Sequence, residues 1–292
     1  MKNETQIGLK ALTTFEIGGS PLFYDRPEDE EQLRDTVRRC ARDSVPFRVL
    51  GGGSNLLVDD GKLPFGVIHI CSPGFDVIER CAENRLRVGA GARLSQLLGF
   101  CRREGLGGLE FLAGIPGTVG GALHGNAGAW GDSIGEQVLR VRCLERSGRP
   151  GNLTAEQLDF SYRTSPFFDR VITETELQVV PADPELVAER IAELARKKAG
   201  RHPTGQPNAG CVFKNADSGS AGRLLDMAGM KGVRVGGASV STVHANFICN
   251  VSNASARDVT RLIGRMQEAV RQQFGVELEL EVQHWPREPR AA

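Results

Sequence analysis

The 292-residue chain has no excess of charge of either sign, because 36 lysines and arginines balance 36 aspartates and glutamates. A nucleic-acid-binding protein normally carries a basic surplus, so the composition argues against this class of partner. The amino terminus lacks the apolar core of a secretory signal, and no uninterrupted apolar run is long enough to span a membrane. We therefore expect a cytoplasmic protein without nucleic-acid or membrane partners.

Metal-site and disulfide patterns are missing as well. The seven cysteines are scattered, with no C-x-x-C pair and no histidine at metal-ligand spacing. An odd number of scattered cysteines suits reduced thiols better than a disulfide framework or a zinc site. We predict a protein with no metal ion.

Two familiar nucleotide-binding motifs are absent although glycine is abundant. A strand-like segment, residues 46–50, runs directly into a glycine turn, residues 51–55 (GGGSN), a context that favours phosphate binding by backbone N–H groups. A Walker loop would need G-K-[ST] where Leu56 and Leu57 stand. A Rossmann unit would need a long helix next, but the sequence DDG and Pro64 break the chain within ten residues.

The most distinctive segment of the sequence is residues 107–131, in which nine of 25 residues are glycine. No charged residue occurs between Glu110 and Asp132, and Pro116 between two glycines indicates a shaped loop rather than a flexible linker. Such glycine density indicates either an anion-binding concavity or tight backbone packing in a core.

Periodicity predicts the main elements. Helices are predicted over residues 28–43, 94–103, 184–198 and 256–274, and strands over 46–50, 67–70, 86–88, 138–145, 171–180 and 276–282. The last strand alternates so strictly that its three glutamates should share one face. We predict three domains: residues 1–70 and 71–182 as two subdomains, and residues 183–292 as a third, C-terminal domain.

Several polar residues outside the glycine loops are candidates for binding or catalysis. Arg163 beside Tyr162 lies in an uncharged, aromatic-flanked turn, and is either an anion ligand or a surface arginine. Cys211 precedes a short apolar strand that ends in Lys214 and Asn215, and is either an inert packing residue or part of a site for an anionic substrate.

Taken in order, the motifs TTFEIGG, GGGSNLL, LAGIPGTVGGALHGNAGA, SYRTSPF, AGCVFKN, VHANFICN and LELEV resemble those of one family. The chain is similar to the UDP-N-acetylenolpyruvoylglucosamine reductases, flavoproteins that complete UDP-N-acetylmuramate for peptidoglycan. The resemblance extends from Thr13 to Val282. It implies an α+β protein with an FAD-binding fold of the vanillyl-alcohol-oxidase/PCMH type, followed by a C-terminal α+β substrate domain.

The resemblance also implies the reaction. FAD would be the cofactor and NADPH the co-substrate, in a ping-pong reduction of UDP-N-acetylglucosamine-enolpyruvate by a monomer of the shorter subtype, which lacks a substrate-covering insertion. The implied cofactor-binding residues are Gly51, Gly52, Gly53, Ser54, Asn55, Gly114, Ile115, Pro116, Gly117, Thr118, Gly120, Gly121, Asn126 and Gly128. The implied substrate ligands are Tyr162, Lys214 and Asn215.

Three catalytic roles follow from the same resemblance. Arg163 would be the cation at the substrate carboxylate, and Glu281 would assist the enediolate-like intermediate. Cys211 stands where the family usually has a serine proton donor; a free thiol, with a reference pKa of about 8.5, is mostly protonated at pH 7 and can donate. Leu280 replaces a frequent proline, which leaves Glu279 as an alternative to Glu281.

Competing hypotheses are another FAD oxidase or dehydrogenase, a non-enzymatic nucleotide-binding or structural protein, and a cysteine hydrolase. The hydrolase is disfavoured because no histidine lies in a recognisable base motif near Cys211.

Overall fold

The structure is a computed structural model that describes residues 7–71, 73–216 and 219–287. Its backbone forms two compact units. The glycine-loop unit comprises Phe23–Gly52 and Phe65–Lys198, and the terminal unit comprises Met1–Leu22, Gly53–Pro64 and Ala199–Ala292.

The described residues form six α-helices, of which the third and the fifth in chain order were not predicted and the other four lie within two residues of the predicted limits. They are α1 (Glu30–Arg42), α2 (Leu94–Glu104), α3 (Val119–His124), α4 (Pro184–Ala199), α5 (Ala221–Met227) and α6 (Ala256–Phe274). A capping box begins α6, because Ser255 accepts from the Asp258 N–H while the Asp258 carboxylate accepts from the Ser255 N–H. At the start of α4, Asp183 accepts a hydrogen bond from the N–H of Glu185 and Pro184 is the first helical residue.

Short strands make up the rest of the regular structure. They are β1 (Tyr24–Asp25), β2 (Phe47–Leu50), β3 (Leu56–Val58), β4 (Gly66–His69), β5 (Ile78–Ala82), β6 (Arg85–Gly89), β7 (Leu106–Gly107), β8 (Gly128–Ala129), β9 (Asp132–Ser133), β10 (Val138–Glu145), β11 (Pro150–Thr154), β12 (Arg170–Gln178), β13 (Val180–Pro181), β14 (Asn208–Cys211), β15 (Arg234–Val235), β16 (Ala238–Val240), β17 (Phe247–Asn250) and β18 (Gln283–Trp285).

In the glycine-loop unit, a parallel sheet of order β1-β4-β2 accompanies an antiparallel sheet of order β11-β10-β12-β6-β5. In the terminal unit, an antiparallel sheet of order β14-β17-β16-β15 accompanies the parallel pair β3 and β18. This mixture of sheets and helices agrees with the predicted α+β class.

Each unit is built around its own apolar core. In the glycine-loop unit, α1 contributes Leu33 and Val37, which pack with buried side chains of the two sheets. In the terminal unit, the stripe of α6 that includes Leu262 and Met266 belongs to the core, and α6 packs against β15 and β16. The predicted domain limits at residues 70 and 182 differ from the unit limits. Helix α4 belongs to the glycine-loop unit, because its Leu194 is buried in that unit's core.

The predicted strand over residues 276–282 is wrong. Glu277 and Glu279 are exposed and Leu278 is buried, as an alternating pattern requires, but the segment makes only an isolated bridge between Leu280 and Phe213 within the described residues. The regular ladder fails because the N–H groups of both Glu281 and Val282 donate to one acceptor, the Val212 carbonyl. The strand near Cys211 also differs from the prediction, since β14 ends at Cys211 instead of beginning after it.

Candidate functional site

Two glycine loops of the glycine-loop unit lie against each other, backbone to backbone. A Cβ atom added to Gly51 would stand 2.5 Å from Thr118 Oγ1, and one added to Gly52 would stand 2.5 Å from the Cα of Gly117. Gly117 also has a φ of +110°, a conformation that side chains rarely adopt. These positions therefore require glycine for a close approach between the two loops.

The backbone N–H groups at this approach are available for a ligand. Among the residues that the structure describes, the N–H groups of Gly52, Gly117 and Thr118 donate no hydrogen bond. Unbonded N–H groups on adjoining glycine loops form a concavity suited to a phosphate-like anion. The loops therefore fit a pyrophosphate group.

Other predicted loop residues use their N–H groups within the fold. The N–H of Ile115 donates to Leu112, that of Gly120 to Ala90, and that of Asn126 to Leu123. A Cβ on Gly120 would lie 2.9 Å from the Cβ of Ala90, so this glycine serves the tight packing that was the alternative interpretation of the segment. Gly114, with a φ of +73°, lies against the aliphatic chain of Lys198.

The third glycine of GGGSN belongs to the terminal unit. A Cβ on Gly53 would collide with the carbonyl of Leu12, and the Gly53 carbonyl accepts a hydrogen bond from the Thr14 N–H at 3.0 Å. The side chain of Asn55 donates to the carbonyl of Glu281 at 3.1 Å. Within this unit, the predicted loop residues thus hold the N-terminal TTF motif and the C-terminal glutamate segment.

Arg163 lies at a turn that is tied to the glycine-rich segment. Its guanidinium donates to the carbonyl of Gly128 at 3.1 Å and to that of Asn126 at 3.5 Å, and it stands 5.2 Å from the ring centre of Tyr162. Arg163 itself has a φ of 54°, an uncommon conformation for a residue with a side chain. The sequence motifs SYRTSPF and GNAGA therefore form one structural feature.

Asn126 is the residue that joins these two segments. Its side chain is buried, donates to the carbonyl of Ser161 at 2.8 Å and accepts from the N–H of Gly135 at 3.0 Å. A third link runs from the hydroxyl of Ser165 to the carbonyl of His124 at 2.7 Å. Asn126 was predicted as a cofactor ligand, and the structure gives its side chain a role in holding the Arg163 turn.

In the terminal unit, Cys211 ends β14 directly after a β-bulge. The register with β17 shifts between Asn208 and Cys211, and Gly210 in the bulge has a φ of +78°. Bulges re-aim the side chains that follow them and are frequent beside active sites. Cys211 is partly buried.

Cys211 is only partly buried, whereas four other cysteines of the chain are fully buried. Burial raises the pKa of the Cys101 thiol to about 12 and also raises the pKa of Cys40, Cys143 and Cys249. These four thiols are buried packing residues and are chemically inert at neutral pH.

The two candidate glutamates have different surroundings. Glu279 is exposed and its carboxylate pairs with Lys214 Nζ at 3.4 Å. Glu281 is partly buried, and its N–H donates to the carbonyl of Val212, the residue after Cys211, at 2.8 Å. The backbone of Glu281 therefore lies alongside the Cys211 segment.

Asn215, a predicted substrate ligand, also has a structural contact. Its side-chain oxygen accepts a hydrogen bond at 3.1 Å from the N–H of Ala221, the first residue of α5. The main chain of Lys214 is also bonded, since its N–H donates to the carbonyl of Glu279.

Sequence reasoning missed two residues beside these segments. Asn246, which is 2% exposed, binds the main chain of Phe213 with both ends of its side-chain amide. His69 contacts the carbonyl of Gly51 and the hydroxyl of Tyr24. The VHANF motif pointed to the neighbourhood of Asn246, whereas nothing in the sequence around His69 distinguishes it.

Comparison with known protein families gives two separate matches. Residues 21–153 match a family model described as an FAD binding domain, and residues 202–285 match one described as the C-terminal domain of UDP-N-acetylenolpyruvoylglucosamine reductase. The reductase of Moorella thermoacetica is 41% identical over 98% of this chain and 97% of its own length. That of Geobacter metallireducens is 40% identical over 92% of this chain and 89% of its own.

The chain belongs to the UDP-N-acetylenolpyruvoylglucosamine reductase family. A crystal structure of the reductase from Thermus caldophilus agrees, with a TM-score of 0.83 and 36% identity over 97% of this chain and 98% of that one. The predicted family and the predicted α+β fold with an FAD-binding domain are confirmed.

The family model described as an FAD binding domain spans residues 21–153 and therefore covers both adjoining glycine loops. The adjoining loops, with the N–H groups of Gly52, Gly117 and Thr118 unbonded in the described part of the chain, fit the pyrophosphate of FAD. Within residues 7–71, 73–216 and 219–287, no cluster of side chains suits a metal ion. Over the same residues, no helix is long and apolar enough to cross a membrane.

Proposed function

We propose that this chain reduces UDP-N-acetylenolpyruvoylglucosamine to UDP-N-acetylmuramate with NADPH as the reductant and FAD as the bound hydride carrier. The family membership supports the substrate class. The observation that carries the cofactor assignment is the approach of Gly51 and Gly52 to Gly117 and Thr118, where each added Cβ would lie 2.5 Å from the other loop.

FAD, when bound, would accept a hydride from NADPH and then donate a hydride to the methylene carbon of the enol ether. Negative charge then develops on the substrate carboxylate, and the adjacent carbon needs a proton. In our proposal NADPH leaves before the sugar nucleotide binds, which is a ping-pong order.

Arg163 is the cation that we assign to the substrate carboxylate. Its guanidinium is already oriented by the carbonyls of Gly128 and Asn126, so little conformational freedom is lost when it binds an anion. Tyr162, next to it and 53% exposed, is assigned to the sugar nucleotide.

Cys211 is the proton donor that we assign to the carbon next to the carboxylate, and Glu281 is assigned to the enediolate-like intermediate. The hydrogen bond between the Glu281 N–H and the Val212 carbonyl, at 2.8 Å, supports this pairing because it holds the two segments together. General acid catalysis of this kind contributes about 10²- to 10⁴-fold to a rate. Lys214 and Asn215 are assigned to the sugar nucleotide.

We also propose a cytoplasmic location and a monomeric state. All seven cysteines lie in the described part of the chain and none forms a disulfide, which suits a reducing compartment.

The test is an anaerobic visible spectrum of the purified protein, recorded alone, after one equivalent of NADPH, and after addition of UDP-N-acetylenolpyruvoylglucosamine. We expect the flavin band to bleach with NADPH and to return with the sugar nucleotide. Bleaching that only oxygen reverses would contradict the substrate assignment and favour another FAD enzyme. A protein that stays colourless with added FAD would contradict the cofactor assignment.

A further inference from the structure

His69 is a partly buried histidine beside the first glycine loop. It is the last residue of β4 and lies in register with Leu50, which precedes Gly51. Its Nε2 is 3.1 Å from the carbonyl oxygen of Gly51, and its Nδ1 is 2.6 Å from the hydroxyl of Tyr24 on β1. The rings of His69 and Tyr24 meet edge to face with centroids 5.9 Å apart.

The partners fix which nitrogen of His69 carries the proton. A carbonyl oxygen only accepts, so Nε2 is protonated and donates to Gly51. In the neutral ring Nδ1 is then the acceptor, and the Tyr24 hydroxyl donates to it. Burial, with a smaller effect of the Arg26 charge, lowers the pKa of His69 to about 4, so the ring is neutral at pH 7.

The hydrogen bond from His69 to the Gly51 carbonyl also determines the orientation of the Gly52 N–H, because both groups belong to one peptide unit. The carbonyl of Gly51 and the N–H of Gly52 belong to one planar peptide, in which the two groups point in opposite directions. A donor that holds the carbonyl therefore sets the direction of the Gly52 N–H. That N–H donates no hydrogen bond among the described residues, and Gly52 lies at the approach of the two loops.

We propose that His69, held in one tautomer by Tyr24, is a positioning residue that orients the Gly52 N–H toward the pyrophosphate of FAD. This inference rests on the proposed function for its ligand. Its effect falls on FAD affinity and on the environment of the pyrophosphate, because His69 acts through Gly51 and is assigned no part in proton or hydride transfer.

The test compares three variants of the FAD-loaded, full-length protein. His69→Leu removes the donor, His69→Gln keeps an N–H near the Nε2 position, and Tyr24→Phe removes only the hydroxyl. The dissociation constant of FAD is measured from the fluorescence of flavin released on serial dilution, and the pyrophosphate signals are followed by ³¹P NMR.

We expect His69→Leu to weaken FAD binding about 5- to 30-fold, the effect of one lost hydrogen bond, and to shift the ³¹P signals. His69→Gln should stay within about threefold of the wild type, and Tyr24→Phe should weaken binding about threefold to tenfold. Thr36→Val is the matched control, because it removes a buried hydroxyl that binds Asp25 and touches neither glycine loop. It should lower stability without changing FAD affinity.

Unchanged affinity and ³¹P signals in a folded His69→Leu protein would overturn the inference and leave the proposed function standing. If His69→Leu does not fold, Tyr24→Phe decides, and wild-type FAD affinity in that variant would overturn the inference. A wild-type protein that binds no FAD would overturn the proposed function and the inference together.

Discussion

Asn246 binds the main chain of Phe213 at both of its hydrogen-bonding groups. Its side-chain oxygen accepts from the Phe213 N–H at 3.0 Å, and its side-chain nitrogen donates to the Phe213 carbonyl at 2.8 Å. The main-chain carbonyl of Asn246 accepts from the N–H of Val212 at 2.8 Å. Asn246 therefore fixes the segment between two residues assigned to catalysis and substrate binding, Cys211 and Lys214.

Replacement of Asn246 by alanine should lower both stability and activity. Two buried main-chain groups lose their partners, so we expect the free energy of unfolding to fall by about 2–4 kcal/mol. The displaced Cys211 segment should slow reoxidation of the flavin by the sugar nucleotide more than its reduction by NADPH. Urea unfolding and stopped-flow measurement of the two half-reactions test this.

Asn152→Ala is the matched control for Asn246→Ala, because Asn152 is exposed on β11. It should leave the unfolding free energy within about 0.5 kcal/mol of the wild type. If Asn246→Ala behaved like this control, the segment from Cys211 to Lys214 would be held by other contacts.

The elements that the sequence predicted well are those whose signals are local. The apolar stripe and capping box of α6 lie within one stretch of chain, and the helix begins and ends where they indicate. The segment 276–282 has an equally regular pattern, but its pairing depends on a distant acceptor. The N–H groups of Glu281 and Val282 share the Val212 carbonyl, which no periodicity reveals.

The candidate site was predictable as a set of motifs and not as an arrangement. Glycine density identified the loops at Gly52 and Gly117, and the resemblance supplied roles for Arg163. The side chain of Asn126 that holds the Arg163 turn could not be predicted, because its partner, the Ser161 carbonyl, looks like any other main-chain oxygen in the sequence. His69 was missed for the same reason, since it binds a backbone carbonyl.

Removal of the Cys211 thiol should affect only the second half-reaction. With Cys211→Ala, reduction of the flavin by NADPH should be unchanged, whereas reoxidation by the sugar nucleotide should slow about 10²- to 10⁴-fold because the proton donor is lost. Cys211→Ser should restore most of this rate and make the enzyme resistant to iodoacetamide. Single-turnover kinetics of each half-reaction provide the measurement.

The control for the thiol experiments is Cys81→Ser, because Cys81 is the exposed cysteine, and we expect it to react with iodoacetamide as well. Its rates should equal those of the wild type, and it should remain sensitive to the reagent. Unchanged reoxidation in Cys211→Ala would remove Cys211 as the proton donor.

A methyl group added at Gly52 should separate the two glycine loops. The new Cβ would stand 2.5 Å from the Cα of Gly117, a backbone atom that can move only with its loop. We expect Gly52→Ala to weaken FAD binding at least about tenfold, the equivalent of about 1.4 kcal/mol. Fluorescence titration of FAD measures the change.

Gly99→Ala is the control for the added methyl group, since Gly99 lies in α2 and the nearest atom to its Cβ would be the end of the Arg103 side chain at 3.7 Å. Alanine in a helix should raise the unfolding free energy by up to about 1 kcal/mol and leave FAD affinity unchanged. Equal FAD affinity in the Gly52 and Gly99 variants would mean that the loop approach does not form the FAD site.

Replacement of Arg163 by lysine should impair binding and turnover of the sugar nucleotide although the charge is kept. The planar guanidinium of arginine can donate to the carbonyls of Gly128 and Asn126 and at the same time present N–H groups to a carboxylate. The ammonium group of lysine has no such fork. We expect kcat/KM for the sugar nucleotide to fall about 10²-fold, which is the usual effect of losing one oriented hydrogen-bond donor where negative charge develops. Reduction of the flavin by NADPH should be nearly unchanged.

Arg149→Lys is the control for this variant, because Arg149 is an exposed arginine paired with Glu145, and it should change neither rate. A wild-type kcat/KM in Arg163→Lys would show that charge alone suffices at this position, and equal losses in both half-reactions would assign Arg163 to the flavin site instead of the substrate carboxylate.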